Sequence, residues 1–286
     1  AAGHSVFLKH SAQPPLVALR YQEAFDAAGL PDHVFQHLFV DHDGAAALAA
    51  SAQVDYIAFT GSVGGGHAVT QAISHKFIGA GLELGGKDPA YVRQDADIIS
   101  AAADLADGAF FNSGQSCCGI ERIYVHQSIF QNFVDALVSE ARKLKMGDPR
   151  EAGTTLGPLA SVKGADSVRQ QITDAIAGGA KSHLPVDGNI GSAYLAPQVL
   201  TNVSHDMAVM TDESFGPVVG IMPVGDDDEA IALMNDSQYG LTASIWTRDT
   251  EAARTLARRI ETGTVFLNLC DYLDPALAWT GVKNSR

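Results

Sequence analysis

Residues 56–66 read Tyr-Ile-Ala-Phe-Thr-Gly-Ser-Val-Gly-Gly-Gly, which is an apolar β run followed at once by a glycine turn and a helical stretch. The same alternation continues along the chain, for example from the apolar run 122–126 to the helical run 131–144. Strands that alternate with helices of about 10–15 residues indicate parallel β-α-β units. The sequence therefore predicts a doubly wound α/β fold.

Composition limits the class of protein and its partners. The chain has 286 residues, which fits one large or two medium domains, and 46% of them are hydrophobic, which excludes a disordered chain. The 19 basic and 33 acidic residues give a net charge of -14, which argues against a nucleic-acid partner. No apolar run reaches the roughly 20 residues that a membrane-spanning helix needs, so we expect no membrane partner.

The three cysteines, Cys117, Cys118 and Cys270, are too few for a disulfide framework in a chain of this length. A reducing compartment is the simplest interpretation, and we expect a cytoplasmic protein. The histidines at positions 33, 37 and 42 lack the spacing of metal ligands, so we expect no metal site.

Two glycine-rich turns follow predicted strands, the place where ligands bind at the carboxyl edge of open α/β sheets. The turn 59–66 does not have the G-x-G-x-x-G spacing, so it is either a phosphate-binding turn at a helix N-terminus or an ordinary tight turn. The segment 81–87 has the spacing of a Walker A loop, but Asp88 replaces the Ser or Thr that binds magnesium. We therefore reject a Walker A loop at this position.

Residues 110–118, Phe-Phe-Asn-Ser-Gly-Gln-Ser-Cys-Cys, place Cys117 in a turn between helical segments. Backbone N–H groups at such a break lower a thiol pKa and favour a nucleophile, whereas the alternative is a buried structural cysteine. His126 lies only nine positions further on, but it sits in a predicted strand and is more simply a packed or surface residue. Glu213 precedes another strand and is, by itself, most simply a solvated loop carboxylate.

Four segments together resemble the signature motifs of the NAD(P)-dependent aldehyde dehydrogenase superfamily. Their order and spacing match that family, including the 34 residues between Glu83 and Cys117. The resemblance implies two doubly wound, parallel-sheet domains of the aldehyde dehydrogenase type. Residues 1–85 would form the C-terminal part of the NAD(P)-binding domain and residues 86–286 the catalytic domain. The four segments are Phe59–Ser62, Glu83–Lys87, Asn112–Cys117 and Glu213–Pro217.

The resemblance also implies an oxidoreductase that converts an aldehyde, a small-molecule substrate, to a carboxylic acid with NAD or NADP. Cys117 would attack the aldehyde carbon to form a thiohemiacetal and then a thioester, and its oxyanion would be held partly by the Cys117 backbone N–H. Glu83 would activate the water that hydrolyses the thioester. The residues implied in cofactor binding are Lys9, Gly61, Ser62, Gly66, Glu83, Glu213 and Phe215.

Three departures from the family pattern accompany the resemblance. The segment with the family's oxyanion-hole asparagine would lie before residue 1, and the family's final strand would lie after residue 286. The family's Lys-Pro-x-Glu reads Lys-His-Ser-Ala at residues 9–12, which leaves NAD versus NADP open. We therefore expect a chain truncated at both ends, taken from a full-length homo-oligomer, either a dimer or a tetramer.

Two other functions remain open. A CoA-acylating aldehyde dehydrogenase would pass the thioester to coenzyme A, although a water-activating Glu83 favours hydrolysis. A non-catalytic fragment or cofactor-binding module would fit the missing asparagine segment and final strand.

Overall fold

The computed structural model describes residues 3–186 and 191–286. Residues 1, 2 and 187–190 lie outside the described residues. Among the described helices, none is long and apolar enough to cross a bilayer. The chain divides into two compact units, which comprise Ala1–Phe59 with Gly64–Gly81 and Thr60–Val63 with Leu82–Arg286. The correspondence of these units to the predicted domains 1–85 and 86–286 stays a prediction.

The first part of the chain consists of strands and helices in strict alternation. Strands β1 and β2 pair in parallel, with Val6 opposite Phe35, and β3 and β4 form a second two-stranded sheet. Helix α2 begins after Asp41, whose carboxylate accepts a hydrogen bond from the Gly44 backbone N–H. The elements are β1 Val6–Lys9, α1 Pro15–Ala27, β2 Phe35–Leu38, α2 His42–Ala50, β3 Tyr56–Thr60, α3 Val63–Ile73 and β4 Gly79–Glu83.

The rest of the chain is built around a seven-stranded sheet of order β12-β11-β5-β6-β9-β8-β7. Neighbouring strands are parallel except for the antiparallel pair β7 and β8, so the predicted α/β fold with a parallel sheet is confirmed. The strands are β5 Asp88–Val92, β6 Ile120–His126, β7 Lys181–Ser182, β8 Gln198–Thr201, β9 Val218–Val224, β10 Tyr239–Gly240, β11 Thr242–Trp246, β12 Thr264–Leu267 and β13 Val282–Lys283. The helices are α4 Ile98–Phe110, α5 Phe130–Ala141, α6 Val162–Ala177, α7 Ala208–Thr211, α8 Asp227–Asn235 and α9 Thr250–Ala257.

Helices cover both faces of this sheet because side chains alternate along each strand. Ile123 and Val125 of β6 belong to one buried apolar cluster together with residues of α4 and α5. Tyr124, between them, belongs to a second cluster together with residues of α6, α8 and α9. The sheet is therefore doubly wound, as the sequence predicted.

Three of the four motifs precede three neighbouring strands of this sheet. The loop 84–87 leads into β5, the loop 111–119 into β6 and the loop 212–217 into β9. Since β5, β6 and β9 are adjacent and parallel, these loops meet at the amino edge of the seven-stranded sheet. The segment 82–87 begins at the end of β4, so it lies at the carboxyl edge of the small β3–β4 sheet. Only with respect to that sheet is the expected location at a carboxyl edge correct.

Candidate active site

Glycines bring the three motif loops into direct backbone contact. A β-carbon at Gly86 would lie 2.3 Å from the Cys117 carbonyl oxygen, and one at Gly114 would lie 2.2 Å from the Gly216 carbonyl oxygen. Gly114 also has a φ of +72°, which residues with a side chain rarely adopt. Glycines of two motifs thus permit the close approach of three motif loops, which a side chain at either position would prevent.

The turn that carries the cysteine is wound in the left-handed sense. Asn112 and Ser113 have φ values of 50° and 59°, an uncommon conformation for residues other than glycine. The Ser113 hydroxyl donates to the Gly157 carbonyl at 2.8 Å, and the Gln115 side-chain oxygen accepts from the Ala160 N–H at 2.7 Å. These bonds hold a strained turn at the end of α4, as is common at functional sites.

Cys117 and Cys118 differ in exposure and in charge state. Cys117 is exposed and Cys118 is buried. The neighbouring Cys118 side chain and the backbone N–H of Cys117 itself lower the pKa of the Cys117 thiol. Contact with Cys117, burial and the hydrogen bond to Asp271 all raise the pKa of the Cys118 thiol. Of the two adjacent thiols, the exposed one is therefore the more acidic.

Asp271 anchors the residues on either side of Cys117. Its Oδ1 accepts hydrogen bonds of 2.8 Å from both the Ser116 hydroxyl and the Cys118 thiol. Its negative charge opposes ionisation of Cys117, as does the charge of Glu213. Two acidic side chains therefore lie close enough to Cys117 to affect its thiol.

Cys270 and His126 do not take part in this arrangement. Burial raises the pKa of the Cys270 thiol to about 12, and its sulfur donates to the Asp104 carbonyl. His126 ends β6, whereas Cys117 precedes its beginning. A seven-residue strand spans roughly 20 Å, so a Cys117–His126 pair is excluded.

Glu213 is not a solvated loop carboxylate, and that interpretation is wrong. Its side chain is half-buried, and its Oε1 accepts a hydrogen bond of 3.0 Å from the Gly86 backbone N–H. Burial raises the pKa of Glu213 to about 7, against the opposing effect of the Gly86 N–H. This carboxylate therefore links the second motif to the fourth and titrates near neutral pH.

Phe215 follows in the same loop with an exposed ring and a φ of +51°. Its backbone N–H donates to Glu121 Oε1 at 2.9 Å, and Glu121 forms a buried ion pair of 2.5 Å with Lys87. The sequence alone does not indicate a role for Glu121, and it places Lys87 in the segment Glu83–Lys87 without a role of its own. Two adjacent charges, Glu121 and Arg122, inside an otherwise apolar strand were the available signal.

Glu83 is the last residue of β4, and its carbonyl oxygen accepts a hydrogen bond of 3.0 Å from the Gly61 N–H. The turn at Gly61 and the segment Glu83–Lys87 are therefore joined through a backbone hydrogen bond, with Ser62 lying between Gly61 and the start of α3. Lys9 and Gly66 belong to the other compact unit, and their predicted cofactor contacts stay predictions.

The sequence of the chain is similar to proteins of one family. The model of the "Aldehyde dehydrogenase family" matches residues 1–286. An aldehyde dehydrogenase of Paenarthrobacter nicotinovorans is 37% identical over 285 residues, which are 99% of this chain and 62% of that protein.

Solved structures agree over the same portion. The NADP-dependent glyceraldehyde-3-phosphate dehydrogenase from Bacillus halodurans, complexed with NADP, superimposes with a TM-score of 0.94 at 34% identity. The similarity covers 99% of this chain and 59% of that one. An aldehyde dehydrogenase of Mycobacterium tuberculosis complexed with NAD+ gives a TM-score of 0.94 at 31% identity, covering 99% and 60%. The chain thus spans about three-fifths of the length of the proteins it matches.

Proposed function

The chain belongs to the aldehyde dehydrogenase family, and on that premise we propose that it oxidises an aldehyde to a carboxylic acid with NAD or NADP. Cys117 is the nucleophile, Glu83 is the general base, and Glu213 and Phe215 receive the nicotinamide end of the cofactor. One observation carries the proposal: three motif loops meet around an exposed cysteine at the amino edge of one sheet. Family membership explains why these loops meet, and the geometry supports a role for each.

The nucleophilic step is supported by the state of the Cys117 thiol. The thiolate is the reactive form, and the neighbouring Cys118 side chain lowers the pKa of Cys117. Attack on an aldehyde carbon forms a C–S bond and leaves an alkoxide, the oxyanion of a thiohemiacetal. The backbone N–H of Cys117, which already lies at the sulfur, is the donor that this chain offers to that oxygen.

The residues present fit the nicotinamide half of a dinucleotide. Glu213, whose charge acts on the Cys117 thiol, offers a carboxylate that can accept from ribose hydroxyls, and Phe215 offers an exposed ring two residues further along the loop. NAD(P), when bound, supplies the hydride acceptor that turns the thiohemiacetal into a thioester. Ionised Glu213 is the better acceptor, so its pKa of about 7 places cofactor contact under the control of pH near neutrality.

Glu83 is the proposed base for hydrolysis of the thioester. It lies three residues before Gly86, and three residues of chain span at most about 10 Å. Because Gly86 touches the Cys117 carbonyl, Glu83 is held close to the nucleophile. Removing a proton from water would let that water attack the thioester carbon and release the acid and the Cys117 thiolate.

The direct test is aldehyde-dependent formation of reduced nicotinamide, with the complete protein expressed from its full coding frame. A panel of aldehydes is assayed with NAD and with NADP, and Cys117→Ala is compared with Cys270→Ala. We expect activity to vanish in Cys117→Ala and to persist in Cys270→Ala. Equal rates in the parent and in Cys117→Ala would overturn the role of Cys117 and favour a non-catalytic module.

Coenzyme A distinguishes the acylating alternative. With coenzyme A present, the proposed hydrolytic enzyme still releases free carboxylic acid, because Glu83 activates water beside the thioester. Acyl-CoA as the main product would assign the chain to the acylating class instead.

The assembly and the domains belong to the same proposal. We infer that residues 1–85 contribute to cofactor binding and residues 86–286 to catalysis, in a cytoplasmic homo-oligomer. Sedimentation of the complete protein as a dimer or tetramer would support the oligomer, and a monomer would contradict it.

A further inference from the structure

A buried ion pair lies directly behind the loop that carries Glu213. We propose that Lys87 and Glu121 form a clamp that fixes the loop 213–215 in its cofactor-binding conformation, so that both are positioning residues for the nicotinamide end. This inference rests on the proposed function, which gives Glu213 and Phe215 their cofactor contacts. It goes beyond that function because the proposed function gives no role to Lys87, the last residue of the second motif, or to Glu121.

Glu121 holds the backbone of the loop. Its Oε1 accepts from the Phe215 N–H at 2.9 Å, and its Oε2 accepts from the Ser214 N–H at 2.8 Å. Two consecutive backbone donors on one carboxylate fix the direction of the peptide planes between them. Since Ser214 follows Glu213 directly, these two hydrogen bonds also fix the backbone position from which the Glu213 side chain extends.

Lys87 completes the clamp from the other side. Its ammonium donates to Glu121 Oε2 at 2.5 Å and to the Ser214 hydroxyl at 3.0 Å. The Ser214 hydroxyl in turn donates to the Gln171 side-chain oxygen at 2.7 Å, which ties the loop to α6. Lys87 and Glu121 are both buried, so solvent screens this network very little.

The loop needs such a restraint because its backbone is strained. Phe215 has a φ of +51°, and a bulky residue in the left-handed region costs free energy unless its surroundings impose that conformation. Its ring is exposed, so apolar packing contributes little to holding it. The backbone bonds from Ser214 and Phe215 to Glu121 are the contacts that impose it.

A buried ion pair is weak evidence for a role in stability, because the desolvation of two charges offsets much of their attraction. Burial lowers the pKa of Lys87, which agrees with a substantial desolvation cost. The ion pair contributes to the orientation of the loop rather than to stability, because it holds a carboxylate with two acceptor oxygens and a cation at fixed positions. A second ion pair, between Arg93 and Asp227, follows the other end of β5 and serves as a comparison.

The test measures KM for NAD(P)+, KM for the aldehyde, kcat and the thermal unfolding midpoint in the complete protein. For Glu121→Gln we expect KM for NAD(P)+ to rise about tenfold, because charge-assisted bonds to the loop become weaker neutral ones. KM for the aldehyde should stay within about twofold. Glu121→Gln leaves the buried charge of Lys87 unpaired, and the double variant Lys87→Met with Glu121→Gln removes that charge. Its unfolding midpoint should therefore recover while KM for NAD(P)+ stays high.

The matched control is Asp227→Asn, which breaks the ion pair at the other end of β5. It should lower the unfolding midpoint without changing KM for NAD(P)+. If Glu121→Gln does not fold, Ser214→Ala removes only the Lys87–Ser214 and Ser214–Gln171 bonds, and we expect about a threefold rise in the same KM.

The outcomes separate this inference from the function on which it rests. If Glu213→Ala raises KM for NAD(P)+ but the clamp variants that fold do not, the clamp is overturned and the cofactor role of Glu213 stands. Recovery of KM together with stability in the double variant would also overturn the clamp, since it would indicate a purely structural pair. If Glu213→Ala leaves KM unchanged, the proposed cofactor contact itself is wrong.

Discussion

The backbone of Gly86 lies against the carbonyl oxygen of Cys117, so close that a β-carbon at position 86 would be 2.3 Å from that oxygen. The N–H of the same glycine donates to Glu213 at 3.0 Å. One residue without a side chain therefore joins the proposed nucleophile, the proposed cofactor carboxylate and, three residues earlier, the proposed base. The geometry of the whole site depends on this junction.

Gly86→Ala should separate the loops. The clash is with backbone, which cannot move away as the end of a flexible side chain could, so we expect a lower unfolding midpoint and a loss of activity of at least about 100-fold from misplaced groups. Gly157→Ala is the control, since its nearest neighbour would be an ordinary contact of 3.9 Å to Pro149. Equal activity in the two variants would contradict the proposed junction.

Alkylation with iodoacetamide should select Cys117. Its thiol is exposed and has a lowered pKa, whereas burial raises the pKa of Cys270 to about 12. Peptide mapping after brief labelling should find the adduct on Cys117 first. Faster labelling of Cys118 or Cys270 would contradict the assignment of the thiolate.

Cys118→Ala should make Cys117 less acidic. The Cys118 side chain is the largest influence that lowers the pKa of Cys117, so its removal should move the midpoint of the alkylation rate against pH to higher values. Because Cys270 is not among the groups that lower the pKa of Cys117, Cys270→Ala should leave the midpoint unchanged. A shift to lower pH in Cys118→Ala would be inconsistent with this role of Cys118.

Glu83→Gln should separate the two halves of the reaction. Without the base, hydrolysis of the thioester should slow by about 10²–10⁴, while the first burst of reduced nicotinamide persists. Rapid mixing resolves the burst from the steady state, with the parent protein as the reference. A proportional loss in both phases would argue that Glu83 acts before the thioester forms.

The stability of the protein should depend on pH through Glu213. Its pKa is about 7 in the folded protein and 4.5 ordinarily, so between these values the folded state holds a proton that the unfolded state has lost. The free energy of unfolding therefore falls as pH rises through this window. Glu213→Gln lacks this effect, so its unfolding midpoint relative to the parent should rise from below pH 4.5 to above pH 7. A difference independent of pH would contradict the raised pKa.

The sequence predicts the broad architecture well and supplies candidates for the site. The alternation of apolar strands and helices predicts the doubly wound sheet, because the spacing of apolar residues in strands and in helices is a local property of the sequence. The motif resemblance supplies Cys117, Glu83 and Glu213 as candidates. Reasoning on isolated residues did less well, since it could not separate Cys117 from Cys118 or give Glu213 a partner.

What the sequence did not predict depends on strand order and burial. That β5, β6 and β9 are neighbours is a tertiary fact, and it places the loops at the amino edge rather than the carboxyl edge. The sequence does not indicate strand β5 because proline, here Pro89, is unusual within a strand. The register of the β5–β6 pair shifts between Asp88 and Pro89, which accommodates the proline.

The sequence does not predict helix α6, Val162–Ala177, because it lies in residues 147–191, a region rich in glycine. Its buried positions, Ala165, Val168, Ile172 and Ala175, have helical spacing, but they are few among polar residues. Residues 187–190 of that region lie outside the described residues. The clamp of Lys87 and Glu121 could not be paired from sequence, since the two residues meet only across adjacent strands.

Mass spectrometry of the intact Glu83→Gln protein, incubated with an aldehyde and NAD(P)+ and then mapped by peptide, tests the central claim most directly. The account predicts that one acyl group accumulates as a thioester on Cys117, because the second half of the reaction is blocked. Formation of reduced nicotinamide with the acyl group on another residue, or with no covalent adduct at any time, would contradict it.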